Sequence, residues 1–496
     1  MSDRAIRNVF IYLAPKFLTY GLGLLTLPIL TRLLVPEEYG IVAMAWILPN
    51  ITVAAVTGGL GFSIPRFYFE YRTDQARLDA LVCSGQLFMY AMLPVSALGV
   101  WLAREQIAQW VIGDPIYGQA VFVGYVVIYL EHIMVVYLRL YQNMEKAVKH
   151  SIATLGKAVA QAGASLLFVW GFGMDHMGLI YAALVGTGGT CLVLAIDINR
   201  MFGHGFRFRD LVDNMKYGMQ IVPKSFTGTL NRFFDKYLLR SVLSLSVVGV
   251  YAIGQQLAGA VNYLISTIWM AFQPEAYREV FDRGEEASVS VGRLLTVFAT
   301  VSLGIVLLVA LFAQELVQLI APESYYAAID VLVILCGAAG VQVFGVSAGL
   351  PFAYSKRPAW ITAASFLAAV ASVSLNLLLI PRFGANGAAL AAVIAQALSV
   401  GMIVWVGRCH YYIAFEWRTI VAMYAVLVTA ITSVLYMRSV GVAWPISYLV
   451  KGTLLIGFMA IGARAGILTK QTMARLWGAL ATRPGFVKME EIGPSQ

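Results

Sequence analysis

The residues of this chain with the greatest capacity for chemistry are charged and polar side chains in a long apolar segment at 217–240. Lys224, Asn231 and Asp235 recur there at helical spacing and share one helical face, and Arg232 lies beside them. A charge near the centre of a membrane helix costs about 2.5–3.5 kcal/mol, so it usually faces a bundle interior or a watery cavity. The alternative is that Arg232, Asp235 and Lys236 lie at the water boundary with their charged heads in solvent.

Lysines in two other apolar segments add to this cationic set. Lys16 lies in the first apolar segment and Lys157 in the fifth, where Gln161 follows one helical turn later. Several buried cations suit an anionic substrate, such as one that carries phosphate or acidic sugars. The predicted substrate-binding residues are therefore Lys16, Lys157, Lys224, Asn231 and Arg232.

Three titratable residues could take up a proton or a cation to drive transport. Glu131 and His132 are neighbours in the fourth apolar segment, and Asp235 lies in the seventh. An intramembrane carboxylate either pairs with a lysine as part of the structure or serves ion coupling, and both roles stay open here. An imidazole in contact with water titrates near neutrality. We predict ion or proton coupling at these three residues as one possibility.

Amides and hydroxyls form polar stripes on two further segments. The eighth segment carries Gln255, Gly259, Asn262 and Ser266 on one face, and the eleventh carries Ser372 and Asn376 one turn apart. Such groups in membrane helices most often form hydrogen bonds between helices. We interpret these stripes first as contacts between helices.

The elements that must position these side chains are membrane helices. The 496 residues are 60% hydrophobic and only 12% charged, whereas a soluble domain is about 25% charged. The apolar runs are longer than about 18 residues, which favours helices over barrel strands. We predict an all-α polytopic membrane protein with about 14 transmembrane spans, at 9–34, 40–64, 80–102, 117–140, 151–173, 177–198, 217–240, 247–272, 292–320, 327–354, 359–380, 386–407, 418–437 and 443–463.

Several function classes find no support in the composition. The net charge of +9 is not concentrated in a basic domain, so nucleic acid is not an expected partner. The five histidines lack ligand spacing, and neither a metal site nor a disulfide is predicted from the dispersed cysteines Cys83, Cys191, Cys336 and Cys409. The chain has no glycine-rich phosphate loop and no nucleophile–base constellation. We therefore expect neither an enzyme nor a bound cofactor.

Lysine and arginine are distributed unevenly between the predicted connections. With the N-terminus in the cytoplasm, 24 of the 35 basic residues fall in cytoplasmic segments and 5 fall on the opposite side. Positive charge accumulates on the cytoplasmic side of membrane proteins. Both termini are therefore predicted to be cytoplasmic.

A shift of about 209 residues superimposes the two halves of the chain on each other. It places Pro15-Lys16 over Pro223-Lys224, Gly40–Ala43 over Gly249–Ala252, and Pro65–Tyr68 over Pro274–Tyr277. Each copy holds six predicted spans. Because six is even, both copies begin on the same side of the membrane and have the same topology. Two such lobes that face each other over a central site are typical of alternating-access carriers.

The repeat predicts how the chain is divided. We expect an N-terminal six-helix lobe at 1–198, a cytoplasmic loop between the lobes at 199–216, a C-terminal six-helix lobe at 217–407, two additional helices at 418–463 and a cytoplasmic tail at 464–496. Pro15 and Pro223 occupy matching positions, where a proline removes a backbone hydrogen bond and can kink the helix. We predict that they act as hinges; the alternative is that they only shape helix packing.

Four short motifs resemble a known family. The runs Leu30–Gly40 (LTRLLVPEEYG) and Gly58–Tyr68 (GGLGFSIPRFY) resemble the start of bacterial polysaccharide flippases, and Asn231–Asp235 (NRFFD) and Val248–Ala252 (VGVYA) resemble their second half. These flippases belong to the multidrug/oligosaccharidyl-lipid/polysaccharide exporter superfamily. The resemblance implies a MATE-like fold that moves undecaprenyl-diphosphate-linked oligosaccharide from the cytoplasmic to the periplasmic leaflet of the bacterial inner membrane.

The same resemblance implies the setting of this activity. The product would be a surface polysaccharide such as O-antigen or exopolysaccharide, made in concert with a polymerase and glycosyltransferases. Separately from the resemblance, we expect the protein to act as a monomer. A cationic cavity would hold the diphosphate, and the last two helices would help to form a groove for the lipid tail. The alternatives are a drug/cation antiporter of the same superfamily and a non-transporting scaffold for polysaccharide enzymes.

Overall fold

A computed structural model describes residues 3–203, 205–355, 357 and 359–465, without the side chains at 3–17, 224–232, 271 and 359. Every regular element in this part of the chain is a helix, which confirms the all-α prediction. The helices are α1 (Asp3–Leu33), α2 (Pro36–Ala45), α3 (Ile47–Val56), α4 (Leu60–Tyr71), α5 (Gln75–Val111), α6 (Gly118–Asn143), α7 (Ala147–Leu166), α8 (His176–Met201), α9 (Phe208–Val242), α10 (Leu245–Arg283), α11 (Ser288–Leu311), α12 (Ala313–Ile320), α13 (Ala328–Ser347), α14 (Leu350–Tyr354), α15 (Ala359–Gly407), α16 (Trp417–Val440) and α17 (Trp444–Arg464).

Ten helical stretches of the described residues are long and apolar enough to cross a membrane. One of them belongs to α15, which runs through two predicted spans and is broken only at Gly384, where φ is 59°. The apolar part of α1 whose side chains are described, Leu18–Leu33, is shorter than a full membrane span. The number of fourteen spans therefore stays a prediction.

The two halves of the chain meet where α2 crosses α10. A Cβ atom added to Gly40 would lie 2.1 Å from Leu245 O, and one added to Gly249 would lie 1.7 Å from Pro36 O. Only glycine permits such an approach of two backbones. Gly40 and Gly249 are the residues that the repeat places in register, so equivalent positions of the two copies contact each other.

Hydrogen bonds to backbone carbonyls tie the halves together beside this crossing. They run from Thr31 Oγ1 to Ile320 O (2.8 Å), from the Tyr325 hydroxyl to Leu34 O (2.8 Å) and from Arg240 Nε to Ile112 O (2.6 Å). Burial raises the pKa of Tyr325 above its ordinary value, which keeps the phenol a donor. We call this region, residues 31–40, 112–117, 240–249 and 320–326, the sealed end.

Helix α9 contacts both halves of the protein. Its first part packs on the N-terminal half, where Gly218 meets the backbone of Gly59 and the Tyr217 ring packs edge-on against Phe67 at 5.6 Å. Its last part packs on the C-terminal half, where Leu239 is fully buried in the large apolar core. The helix begins at Phe208, within the range 199–216 for which we expected a loop.

Helices α16 and α17 are fastened to the C-terminal half by two ion pairs. Arg438 Nη1 lies 2.7 Å from Asp330 Oδ1, and Lys451 Nζ lies 2.5 Å from Glu315 Oε1. Lys451 is 2% exposed and stands between aromatic rings. A buried charge needs such a partner, so these ionic residues have structural roles.

Gly249→Leu is expected to open the sealed end, because its Cβ would overlap Pro36 O, a backbone atom that cannot rotate away. Overpacking costs about 1–3 kcal/mol, which favours the unsealed form by about 5–150-fold. A cysteine in place of the buried Ile41 should then react with a membrane-impermeant maleimide, in a chain whose four native cysteines are alanine.

Gly457→Leu is the matched control, because a Cβ at Gly457 in α17 meets no described atom within 4 Å. It should leave the labelling rate unchanged. Equal labelling of the Gly249→Leu and control chains would contradict the glycine crossing as the seal.

Candidate functional site

The face that α1 turns towards the C-terminal half becomes more exposed with distance from the sealed end. Thr31, Leu27, Leu24 and Tyr20 follow one another on this face at intervals of three or four residues. Thr31 is 1% exposed, whereas Tyr20 is 43% exposed although it still contacts α10. The two halves therefore diverge along α1, and an open space begins between them. We call it the central space.

The side of α10 that faces α1 and α2 also becomes more exposed with distance from the sealed end. Gly249 is buried in the crossing, but Gln256, two turns further on, is exposed. A Cβ added to Gly259 would meet no described atom within 4 Å, and Met270 is again exposed. The face of α10 that carries the predicted polar stripe thus borders the central space.

A pair of tyrosines spans the central space. The rings of Tyr20 on α1 and Tyr263 on α10 are stacked, with centroids 4.4 Å apart and planes inclined by 22°. Tyr263 lies about 20 Å along α10 from Gly249, at 1.5 Å per residue. The tyrosine pair and the glycine crossing therefore mark two separate levels of contact between α1, α2 and α10. The sequence signal that could have indicated Tyr263 is its place directly beside Asn262 in the polar stripe.

Most polar groups of this stripe bond to their own helix rather than to a neighbour. Asn262 Nδ2 donates to Ala258 O at 3.3 Å, and Ser266 Oγ donates to Asn262 O at 2.9 Å. Gln255 instead donates to Asp235 of α9 at 3.1 Å. The interpretation as contacts between helices thus fits Gln255, while Asn262 and Ser266 remain beside the central space.

Lys157 and Glu131 form an ion pair between α7 and α6. Lys157 Nζ lies 2.5 Å from Glu131 Oε1, and the side chains are 18% and 38% exposed. The carboxylate neutralises the lysine in this conformation, so an anionic ligand would have to compete with Glu131. This ion pair is the structural role that we gave as the alternative to ion coupling. A role of Lys157 in binding or of Glu131 in coupling stays a prediction.

His132 lies against a break in the second predicted span. The break falls at Thr57–Gly59, where Gly58 and Gly59 have φ of 62° and 68°. His132 Nε2 is 3.1 Å from Thr57 Oγ1. This contact gives His132 a structural partner at the break, and its role in coupling stays a prediction.

Arg139, two turns beyond His132 on α6, supports the same span. Pro65 has no N–H, so the carbonyl of Gly61 loses the donor that a continuous helix would supply. Arg139 Nη1 donates to this carbonyl at 2.7 Å, and Asn143 Nδ2 donates to Pro65 O at 2.8 Å. The signals for this role were Pro65 itself and the spacing of Arg139 from His132, but sequence alone does not join them.

Asp235 is enclosed between α9 and α10. It accepts hydrogen bonds from the Tyr251 hydroxyl (2.7 Å), from Gln255 Nε2 (3.1 Å) and from the backbone N–H of Lys236 (2.7 Å). The side chain is 6% exposed. A buried carboxylate held by neutral donors can bind a proton or a cation. This geometry is compatible with ion coupling at Asp235, which stays a prediction. Sequence reasoning missed Tyr251.

Four predicted site residues, Lys16, Lys224, Asn231 and Arg232, have side chains outside the described part of the chain, as does Pro15. Pro223 lies within α9, between the part docked on Gly59 and the part that holds Asp235. A hinge at Pro223 would thus separate the contacts of α9 with the two halves, and hinge motion stays a prediction.

A cavity of about 500 Å³ lies at the sealed end, beside Glu38, Asp175 and His176. Their ligating atoms lie within 4.8 Å of one another. Glu38 Oε2 accepts from Val35 N at 2.9 Å, and Asp175 Oδ1 accepts from Met177 N at 3.2 Å. Both carboxylates therefore cap the starts of helices α2 and α8, which accounts for their positions.

Arg139→Ala is expected to lower the stability of the detergent-solubilised protein by about 1–3 kcal/mol, because it leaves a buried carbonyl without a donor. The loss should be smaller when Pro65 is also replaced by alanine, since residue 65 then regains an N–H for Gly61 O. Thermal unfolding of the four chains of this cycle measures both effects. As a control, Arg283→Ala removes a pair with Glu279 in which the arginine is 62% exposed, and should change stability by less than about 1 kcal/mol. An equal loss in both Arg139→Ala chains would contradict this role.

Comparisons with solved structures show which folds the chain resembles. It resembles the structure of lipid II flippase MurJ in an inward closed conformation, with a TM-score of 0.73 at 12% identity over 92% of this chain and 100% of that one. It also resembles an inward-facing multidrug resistance MATE family transporter of the MOP superfamily, with a TM-score of 0.66 at 15% identity over 81% and 97%. These matches confirm the MATE-like fold.

The sequence comparisons give the family. No curated protein matches the chain in sequence. The profile of a family described as "Polysaccharide biosynthesis protein" matches residues 5–278. Because this match covers more than half of the chain, the protein belongs to the polysaccharide biosynthesis protein family.

Proposed function

We propose that this protein flips undecaprenyl-diphosphate-linked oligosaccharide from the cytoplasmic to the periplasmic leaflet of the bacterial inner membrane, for surface polysaccharide assembly. The observation that carries the proposal is that the two halves touch at the sealed end, where α2 crosses α10, and that Tyr20 on α1 and the facing side of α10 become exposed further from it, around the central space. A site between two halves that can seal at either end is what alternating access requires. The family and its fold support the same activity.

The charge distribution supports an orientation for this conformation. The connections at the sealed end are those with few lysines and arginines, so the positive-inside rule places the sealed end in the periplasm and both termini in the cytoplasm. The central space would then face the cytoplasmic leaflet, where lipid-linked sugars are assembled. The proposed conformation is ready to accept substrate.

The parts of the substrate would meet different parts of the protein. We assign the diphosphate to Lys16, Lys157, Lys224 and Arg232, because cations form the strongest hydrogen bonds with phosphate oxygens, with Asn231 as a polar neighbour. Helices α16 and α17 would border the lipid tail. The protein would act as a monomer beside a polymerase and glycosyltransferases, as a carrier rather than an enzyme.

A drug/cation antiporter is the second candidate. The enclosed carboxylate of Asp235 and the fold shared with MATE transporters favour it. The family match favours the flippase. A non-transporting scaffold is the least supported alternative, since the exposed side chains of α1 and α10 around the central space serve no purpose in a scaffold.

A deletion strain tests the function directly. We expect it to lose surface polysaccharide and to accumulate undecaprenyl-diphosphate-linked oligosaccharide on the cytoplasmic leaflet, measured by lipid extraction and leaflet-selective labelling. Complementation with Lys224→Ala should restore export at least about tenfold less well, as expected for the loss of one charged hydrogen bond. Lys216→Ala, which alters an exposed lysine of the same helix, is the matched control.

The opposite results would be equally informative. Normal polysaccharide together with new sensitivity to cationic drugs would overturn the flippase in favour of the antiporter. Full export by Lys224→Ala at normal expression would remove Lys224 from the site.

Asp235→Asn is expected to uncouple transport from an ion gradient, because an amide keeps the shape and an acceptor oxygen but holds no negative charge. In proteoliposomes, flipping by the native chain should respond to an imposed proton or sodium gradient, and flipping by the variant should not. Tyr251→Phe removes one donor and retains the carboxylate, so it should keep the response. A gradient response of Asp235→Asn equal to that of the native chain would refute coupling at this residue.

A further inference from the structure

We propose that Tyr20, Tyr263 and the neighbouring polar stripe of α10 form a carbohydrate platform in the wall of the central space. The platform would bind the sugars of the lipid-linked substrate, apart from the cations assigned to its diphosphate. This inference rests on the proposed function and extends it by naming where the sugars bind.

The position of the tyrosines is the first argument. Tyr20 lies on the α1 face that continues to Leu27 and Thr31, both buried between the two halves, so it faces the C-terminal half and not lipid. It remains 43% exposed although one ring face is stacked on Tyr263. Part of the Tyr20 ring is therefore open to a ligand in the central space.

The chemistry of the surrounding groups is the second argument. The face of an aromatic ring is electron-rich, and the C–H groups on one side of a pyranose ring carry a slight positive charge, so the two stack. Amides and hydroxyls both donate and accept hydrogen bonds, as sugar hydroxyls do. Asn262 and Ser266 of the stripe supply such groups, and the exposed Gln256 adds another on the same stretch of α10.

Unused hydrogen-bonding capacity is the third argument. Asn262 Oδ1 and Thr19 Oγ1 are buried and have no hydrogen-bond partner among the described residues. A buried polar atom without a partner costs about 1–3 kcal/mol, so such atoms usually serve a ligand or water. Thr19 precedes Tyr20 and Asn262 precedes Tyr263, so both polar groups lie on the same helical turns as the stacked rings.

Space and charge complete the argument. Gly259 lies one turn from Tyr263, and a Cβ there would meet no described atom within 4 Å, which leaves room for a bulky ligand. The platform residues are all neutral, and the nearby carboxylate of Asp235 is enclosed by Tyr251 and Gln255. A neutral polar surface with an aromatic face complements a carbohydrate, which offers hydroxyls for hydrogen bonds and C–H groups for stacking.

The test compares two ligands on the full-length protein in nanodiscs. One is undecaprenyl-diphosphate-linked oligosaccharide extracted from the deletion strain, and the other is sugar-free undecaprenyl diphosphate. Thermal-shift titration gives an apparent Kd for each. Tyr20→Leu and Tyr263→Leu should weaken binding of the sugar-bearing ligand about threefold to tenfold, the scale of an aromatic contact, and leave the Kd of undecaprenyl diphosphate unchanged.

Three further variants keep the result interpretable. Tyr20→Phe retains the ring and should bind both ligands normally. Gly259→Leu places its Cβ in open space and should weaken binding of the sugar-bearing ligand only, even if a tyrosine variant fails to fold. Tyr412→Leu alters an exposed tyrosine in the connection between α15 and α16, outside the platform and outside the helices assigned to the lipid tail, and should change neither Kd.

The outcomes separate this inference from the function on which it rests. If the tyrosine variants and Gly259→Leu weaken both ligands equally, the tyrosine pair joins the two halves mechanically and the platform is wrong. If they weaken neither ligand, the platform is also wrong, while the flippase proposal stands. If the native chain binds neither ligand, the proposed function fails and the platform fails with it.

Discussion

The backbone contact between α2 and α10 is the constraint on which the rest of the structure depends. Gly40 and Gly249 let the two helices approach until backbone atoms touch, and any side chain there would overlap a carbonyl oxygen. Helices in lipid gain little from burying apolar surface against each other, so close packing of small residues drives their association. The two glycines occupy equivalent positions in the internal repeat. Each copy of the repeat therefore contributes one glycine to the seal.

The second constraint is that backbone carbonyls in apolar surroundings need donors. Charged side chains meet this need at several places: Arg139 supplies Gly61 O near Pro65, and Arg240 supplies Ile112 O at the sealed end. Arg438 likewise donates to Tyr326 O while it pairs with Asp330. These charged side chains therefore hold irregular backbone in place. The contact satisfies the carbonyl and also gives the charge a partner, which lowers the free-energy cost of placing it in the membrane.

A charged residue in these helices can either hold other parts of the protein in place or bind a ligand, and this ambiguity explains which predictions could succeed from sequence. Composition and periodicity determine the all-α membrane fold, and short motifs indicate the family, because both are local properties. The pairing of Lys157 with Glu131 joins residues on two helices, and nothing in the pattern distinguishes a paired lysine from a free one. The start of α9 was missed for a related reason: residues 208–216 look polar in sequence, yet Leu211 and Met215 pack into the core of the N-terminal half.

The energetics of the seal bear on how such a protein could change conformation. Besides the glycine crossing, the sealed end is joined by two neutral hydrogen bonds and one charged one, together worth about 3–6 kcal/mol. A ligand must contribute about 5.5 kcal/mol of differential binding to reverse a two-state ratio from 1:99 to 99:1. The two quantities are of the same order, so preferential binding of a substrate to one conformation can offset the contacts that hold the other. Buried ion pairs across the seal would cost more to separate, and the described contacts between the halves at this end instead run to backbone carbonyls. A seal of glycines and carbonyl hydrogen bonds would therefore meet the physical requirement of the proposed carrier, which must pass through both states.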